Sequence, residues 1–181
     1  MKRSLGATVA LSVAGVLLGA APASAQDLAV TDPLGDVGIN TLDILSVTLK
    51  SGDRSIVAAI EVEDATRDGN LTVSVDPRGG TGVRIVSKFR ATGGTKSYVL
   101  RRAFTDKGTS SKKVKCKVKV GDGWSGAGNP VITLRIPSRC VAGGNYGALR
   151  FAAVSDLGGD RDLAPVTKRG RLGVSGWVAR G

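Results

Sequence analysis

"TLDILSVTLKSGDRSIVAAIEVE", Thr41 to Glu63, decides the fold class. Its first half places Leu42, Ile44 and Ser46 on one face, and "RSIVAAIEVE" continues the alternation after the polar turn "SGDR". Successive side chains of a strand point to opposite faces, so apolar residues at every second position make a half-buried strand. Gly and Asp between the two runs supply turn chemistry.

The same period runs outward through "NLTVSVDP", "GVRIVSKF", "KSYVLRRAF", "KKVKCKVKV", "PVITLRIP" and "GALRFAAVS". Clusters such as "TRDGN", "PRGGTG", "ATGGT", "TDKGTS", "GDGWSGAGNP" and "VAGGN" separate these runs. No window of a dozen residues carries apolar positions at helical spacing, and no internal repeat is present. About eight strands at this spacing predict an all-β, antiparallel β-sandwich, immunoglobulin-like or jelly-roll-like. A closed barrel is the alternative.

The N-terminal residues predict a leader. Lys2 and Arg3 precede an apolar run from Leu5 to Gly19, and "APASAQ" sets small residues at Ala23 and Ala25 before Gln26. That is a secretory signal with an A-x-A cleavage pattern, and the apolar run is shorter than the ~20 residues a spanning helix needs. The expected division is therefore a signal peptide at 1–25 and one sandwich domain at 26–181. The mature chain is expected to be secreted and monomeric, without stable membrane insertion and, lacking a cysteine at the cleavage point, without a lipid anchor.

Cys116 and Cys140 both lie in the exported part. An even cysteine count in an oxidising compartment predicts one disulfide, with Cα atoms within roughly 7 Å. Zinc is a poor rival, because a structural site needs four ligands and the chain has no histidine. The absence of histidine also excludes Ser-His-Asp and Cys-His catalysis.

Charge is unevenly distributed. Loss of Lys2 and Arg3 with the leader takes the net charge from +11 to +9. From Asp27 to Asp76 ten acids face three bases; from Pro77 to Gly181 twenty-one bases face five acids. The basic half suits either solubility or a polyanion. Its densest part is "KKVKCKVKV", where strand geometry sends Lys113, Lys115, Lys117 and Lys119 to one face and Val114, Cys116, Val118 and Val120 to the other. Lysines on an exposed strand also prevent edge-to-edge pairing, and the solubilising role is the expected one. A polyanion patch would instead join these lysines to Arg101, Arg102 or Arg135.

Two catalytic patterns are coincidental. Ser110 to Lys113 matches S-x-x-K, but it opens a strand where serine-lysine enzymes need a helix. "GDGWSG", Gly121 to Gly126, matches a dinucleotide fingerprint yet runs into "AGNP" rather than a helix, so it is expected to be a hairpin loop.

Asp32, Asp36 and Asp43 surround a Pro-Gly turn before the first predicted strand. Calcium takes six to eight oxygens from carboxylates and carbonyls on irregular loops, so these three could supply part of a shell. Turn chemistry accounts for the same residues without a metal.

"DPLGDVGINTLDILSVTL" followed by "SIVAAIEVED" resembles the N-terminal edge of family-nine carbohydrate-binding modules and related DOMON-like sandwiches. The resemblance implies a structural calcium held at the matching positions, Asp32, Asp36 and Asp43. Most of the mature chain also resembles a group of uncharacterised secreted proteins of high-GC Gram-positive bacteria. They share the DPxGD start, two cysteines in the second half, and an ending like "DLAPVTKRGRLGVSGWVARG". The signal and composition have a bacterial character, which removes weight from the sequon at Asn70. Aromatics, at 4%, are scarce for a module that stacks sugar rings. Trp177 is expected to pack in the core or final strand, because tryptophan is usually largely buried, whereas Trp124 sits in a glycine-rich loop.

The leading expectation is a secreted, non-enzymatic β-sandwich with a calcium at the "DPLGD" edge. Its first rival is an extracellular binding module for an anionic cell-wall polymer, a nucleic acid or a carbohydrate. The second is a hydrolase, which would need two carboxylates facing each other across a cleft.

Overall fold

The computed structural model describes residues 26–35, 42–63, 67–104, 112–121, 123–124 and 128–181. The expected leader, 1–25, lies outside them. Twelve strands make up the fold among the described residues. They are β1 (Gln26–Thr31), β2 (Ile44–Ser51), β3 (Ser55–Val62), β4 (Gly69–Pro77), β5 (Val83–Phe89) and β6 (Thr95–Arg101). After them come β7 (Lys113–Val114), β8 (Lys119–Gly121), β9 (Val131–Pro137), β10 (Ala148–Leu157), β11 (Asp160–Ala164) and β12 (Val178–Ala179).

These strands form two antiparallel sheets. The first runs β1-β2-β3-β9-β8, the second β11-β10-β4-β5-β6-β7, with β12 also paired to β10. The inward residues of both are the apolar alternation read from the sequence. Ile56, Ala58 and Ile60 on β3 and Ile132, Leu134 and Ile136 on β9 meet Leu71, Val73 and Val75 on β4 and Phe151 on β10, all fully buried. Each such Val, Leu, Ile or Phe contributes about 1.5–3 kcal/mol by leaving water. The sandwich expectation holds.

Three details differ from the sequence reading. First, β1, β11 and β12 add to the eight predicted strands. β1 is an edge strand that half-buries Leu28 and Val30, and β11 turns an aspartate inward, so neither shows the apolar alternation of a central strand.

Second, Ser46 does not share the face of Ile44. Ile44 pairs with Val62 and Ser46 with Glu61, so Leu45 is an extra residue in a β-bulge. The bulge moves Val47 and Leu49 into the core and turns Ser46 outward, where its hydroxyl donates to Glu61 Oε2 at 3.1 Å.

Third, "KKVKCKVKV" is not one strand. β7 pairs with β6 in the second sheet, β8 pairs with β9 in the first, and residues 115–118 cross between the sheets. A tight turn starts the crossing: the Cys116 N–H donates to the Val114 carbonyl at 2.8 Å. Cys116 is bonded to Cys140, in the 3-10 turn Ser138–Cys140 after β9, with Cα atoms 5.8 Å apart. The expected disulfide thus closes this edge of the sandwich.

The chain's last residues close the opposite edge. β12 lies on β10, and the Gly181 N–H reaches the Ser51 carbonyl of the first sheet at 3.1 Å. Arg180 donates to the carbonyls of Gly144 at 2.6 Å and Asp53 at 2.9 Å.

Candidate functional site

Cross-strand register puts two rows of side chains on the outer face of the second sheet. One row reads Arg161, Asp156, Asn70, Lys88, Lys96 across β11, β10, β4, β5 and β6. The next reads Leu163, Val154, Thr72, Val86, Tyr98 across the same strands. Between Arg161 and Tyr98 these rows line a depression of about 410 Å³. That falls within the roughly 300–1,000 Å³ of small-molecule sites. Lys88 and Arg161 supply cations, Asp156 an anion, Asn70 and Thr72 neutral hydrogen-bonding groups, and Tyr98 an aromatic wall.

A third row carries Ser74, Arg84, Leu100 and Lys113. The segment after β6 lies over it. Arg102 N–H donates to the Gly82 carbonyl at 2.8 Å, and Phe104 N–H donates to Ser74 Oγ at 3.4 Å. Gly82 permits this approach, since a Cβ there would sit 2.6 Å from both Ala103 Cβ and the Val75 carbonyl. Arg102 and Phe104 hold left-handed backbone, φ 68° and 53°, at a cost of about 1 kcal/mol or more each. Arg84 is buried on the outer face, and loss of hydration lowers its guanidinium pKa, partly offset by the negative charge of the Tyr98 phenolate.

Beyond that row, Arg150 Nε and Nη2 both reach Asp76 Oδ2 at 2.8 Å. The Arg150 guanidinium carbon is 5.7 Å from the Phe104 ring centroid and 5.0 Å from that of Trp177. Arg78 lies 4.8 Å from the Trp177 centroid. Trp177 is 41% exposed, so of its two expected positions it does not take the core; it stands immediately before the final strand β12. Guanidinium stacking holds the ring outside the sandwich, while its neighbour Val178 turns inward and is buried. Trp124 does pack inward, its ring 5.1 Å from that of Phe89.

The four lysines expected as one face are divided. All are exposed, and Val114, Cys116, Val118 and Val120 between them are half-buried, as the alternation predicts. Lys119 stands opposite Arg135 on the first sheet, and Lys115 and Lys117 lie on the crossing. Lys113 alone joins the second sheet's outer face, its Nζ 5.4 Å from the Tyr98 ring centroid.

At the acidic edge, Asp32 and Asp43 are both buried. Asp32 N–H donates to the Leu45 carbonyl at 3.0 Å, and Asp43 Oδ2 accepts the Gly35 N–H at 2.7 Å. Asp36 lies outside the described residues. Sequence reasoning missed Asp162, which points inward from β11 and accepts the N–H groups of Ile44 and Leu163. Among the described residues no three acids, cysteines or histidines are grouped to hold a metal. The chemical type of Asp32 and Asp43 fits a hard cation, and Asp43 Oδ1 is buried with no hydrogen-bond partner among the described residues. Among the described residues they supply two of the carboxylates of such a shell, with Asp36 outside that set. "GDGWSG" connects the adjacent antiparallel strands β8 and β9, as a hairpin loop should, although Asp122 and residues 125–127 lie outside the described set.

Among the described residues no helix is long and apolar enough to cross a membrane. No protein-family model, curated protein or solved structure matches the chain, so its own geometry must carry any functional reading.

Proposed function

We propose that this chain is a non-enzymatic, exported binding module that takes an acidic carbohydrate polymer on the outer face of its second sheet. The observation that carries this is the depression between Arg161 and Tyr98. Lys88 and Arg161 line it, with Lys96 and Lys113 beside Tyr98, and suit carboxylate or phosphate groups. Asp156, Asn70 and Thr72 add acceptors and donors for hydroxyls, and Tyr98 offers a face for a sugar ring. An acid between the two cations gives the hydroxyls of a sugar polymer an acceptor beside the groups that would take its acidic substituents. Asp156 is the one carboxylate among the described lining residues, whereas glycoside hydrolysis calls for a pair. The leader-type N-terminus and the disulfide, which persists in oxidising compartments, support export.

Affinity electrophoresis in gels containing polygalacturonate or neutral dextran tests this reading. Retardation by the acidic polymer, lost on Lys88→Gln with Arg161→Gln, supports it. Equal mobility in both gels overturns it.

A second proposal concerns stability rather than recognition. Asp32, Asp36 and Asp43 would hold calcium, with Asp43 Oδ1 as a buried oxygen that has no hydrogen-bond partner among the described residues. A bound calcium would neutralise the buried carboxylates; what supports the reading is that the Asp32 backbone is tied to the Leu45 carbonyl and the Asp43 carboxylate to the Gly35 N–H.

A further inference from the structure

We infer that the ligand is a linear chain several sugars long, which passes over Arg161 from the first depression into a second one. The inference rests on the binding reading above and adds the ligand's length and course. The second depression, of about 340 Å³, lies between β11 and the loop before β12, and Arg161 lines both. Its walls are Phe104, Leu163, Leu172 and Val174, with Arg171 as a further cation. Val174 is 39% exposed, one of few large apolar side chains open to water among the described residues.

The register explains the continuity. Arg161 and Leu163 both project outward from β11, one beside Asp156 and the other beside Val154. A ligand on Tyr98 therefore meets Arg161 after crossing β5, β4 and β10. Four gaps of ~4.8 Å make that path about 19 Å long, more than one sugar ring covers. Past Arg161 the surface turns apolar, which suits the C–H faces of sugar rings, while Arg171 keeps a partner for the next acidic group. One depression would select a short sugar; two sharing a cation select a chain with repeated acidic groups.

Size-defined oligogalacturonates, dimer to octamer, provide the test by titration calorimetry on the mature protein. The expected result is affinity that rises at least tenfold from dimer to hexamer and then levels off. Leu172→Ser with Val174→Ser should remove that gain and leave dimer affinity within twofold, whereas Arg161→Gln should weaken every length. Unchanged melting midpoints would show that the variants fold. Equal affinity for dimer and octamer, or a length dependence untouched by the double substitution, overturns the extended path while leaving the binding reading intact. No binding at any length overturns the binding reading itself.

Discussion

Asp162 Oδ2 accepts the backbone N–H of Ile44, 118 residues earlier and in the opposite sheet. The same carboxylate takes the Leu163 N–H through Oδ1 and is 1% exposed. Hydrogen bonds to charged groups contribute about 1.5–3 kcal/mol, and a buried donor left without a partner costs a similar amount. Asp162→Ala should therefore destabilise the protein by about 3 kcal/mol in urea denaturation, and Asp162→Asn by less. A loss under 1 kcal/mol for the alanine variant would show that this tie between the sheets is unimportant.

The Cys116–Cys140 bond spans 24 residues and joins the sheet crossing to the turn after β9. In the chain-entropy model a loop of that length contributes roughly 3 kcal/mol. Reduction, or the double serine variant, should lower Tm by about 6–12 °C, taking ~2–4 °C per kcal/mol for a domain of this size. The unreduced protein should resist thiol reagents. An unchanged Tm would locate the stability elsewhere.

Burial decides the cost of truncation even within one strand pair. Ile60 is fully buried, and Val131, opposite the outward Glu61, is 43% exposed. Ile60→Ala should cost about 2–5 kcal/mol through lost burial and the cavity it leaves. Val131→Ala should stay within about 0.5 kcal/mol. Equal losses in chemical denaturation would contradict the inward and outward assignment of this sheet.

If calcium binds at Asp32, Asp36 and Asp43, melting in calcium and then in chelator should give different midpoints. A ligand at 100 times its Kd stabilises by about 2.7 kcal/mol. Asp43→Ala should abolish the difference. Coincident midpoints for the parent protein across millimolar calcium would remove the proposal.

The lysines make a sharper comparison. Lys115→Gln with Lys117→Gln alters only the exposed crossing and should leave polygalacturonate binding within twofold. Lys113→Gln with Tyr98→Ala alters the groove's β6 end and should weaken binding at least fivefold. The reverse order would move the site to the sandwich edge.

The period-two pattern alone determined the fold class, because it is a local property. Each inward residue of "SIVAAIEV" and "VITLRIP" could be named from its neighbours, and the structure buries them. The disulfide was legible too, since chemistry and an even count left Cys116 one partner. Register and sheet membership were not, because both depend on residues far apart in the chain. Leu45 looks like any strand residue, and only its partners on β3 make it a bulge. The alternation in "KKVKCKVKV" is real in exposure, yet β6 and β9 pull its two ends into different sheets. Trp177 read as core or final-strand packing, and only folding set its ring outside the core against Arg78 and Arg150. Lys88, Tyr98 and Arg161 belong to three strands with no common motif, and pairing through β4 and β10 sets them around one depression. A strand's alternation records which side is wet; which wet residues meet is decided by hydrogen-bonded neighbours that the local sequence does not contain.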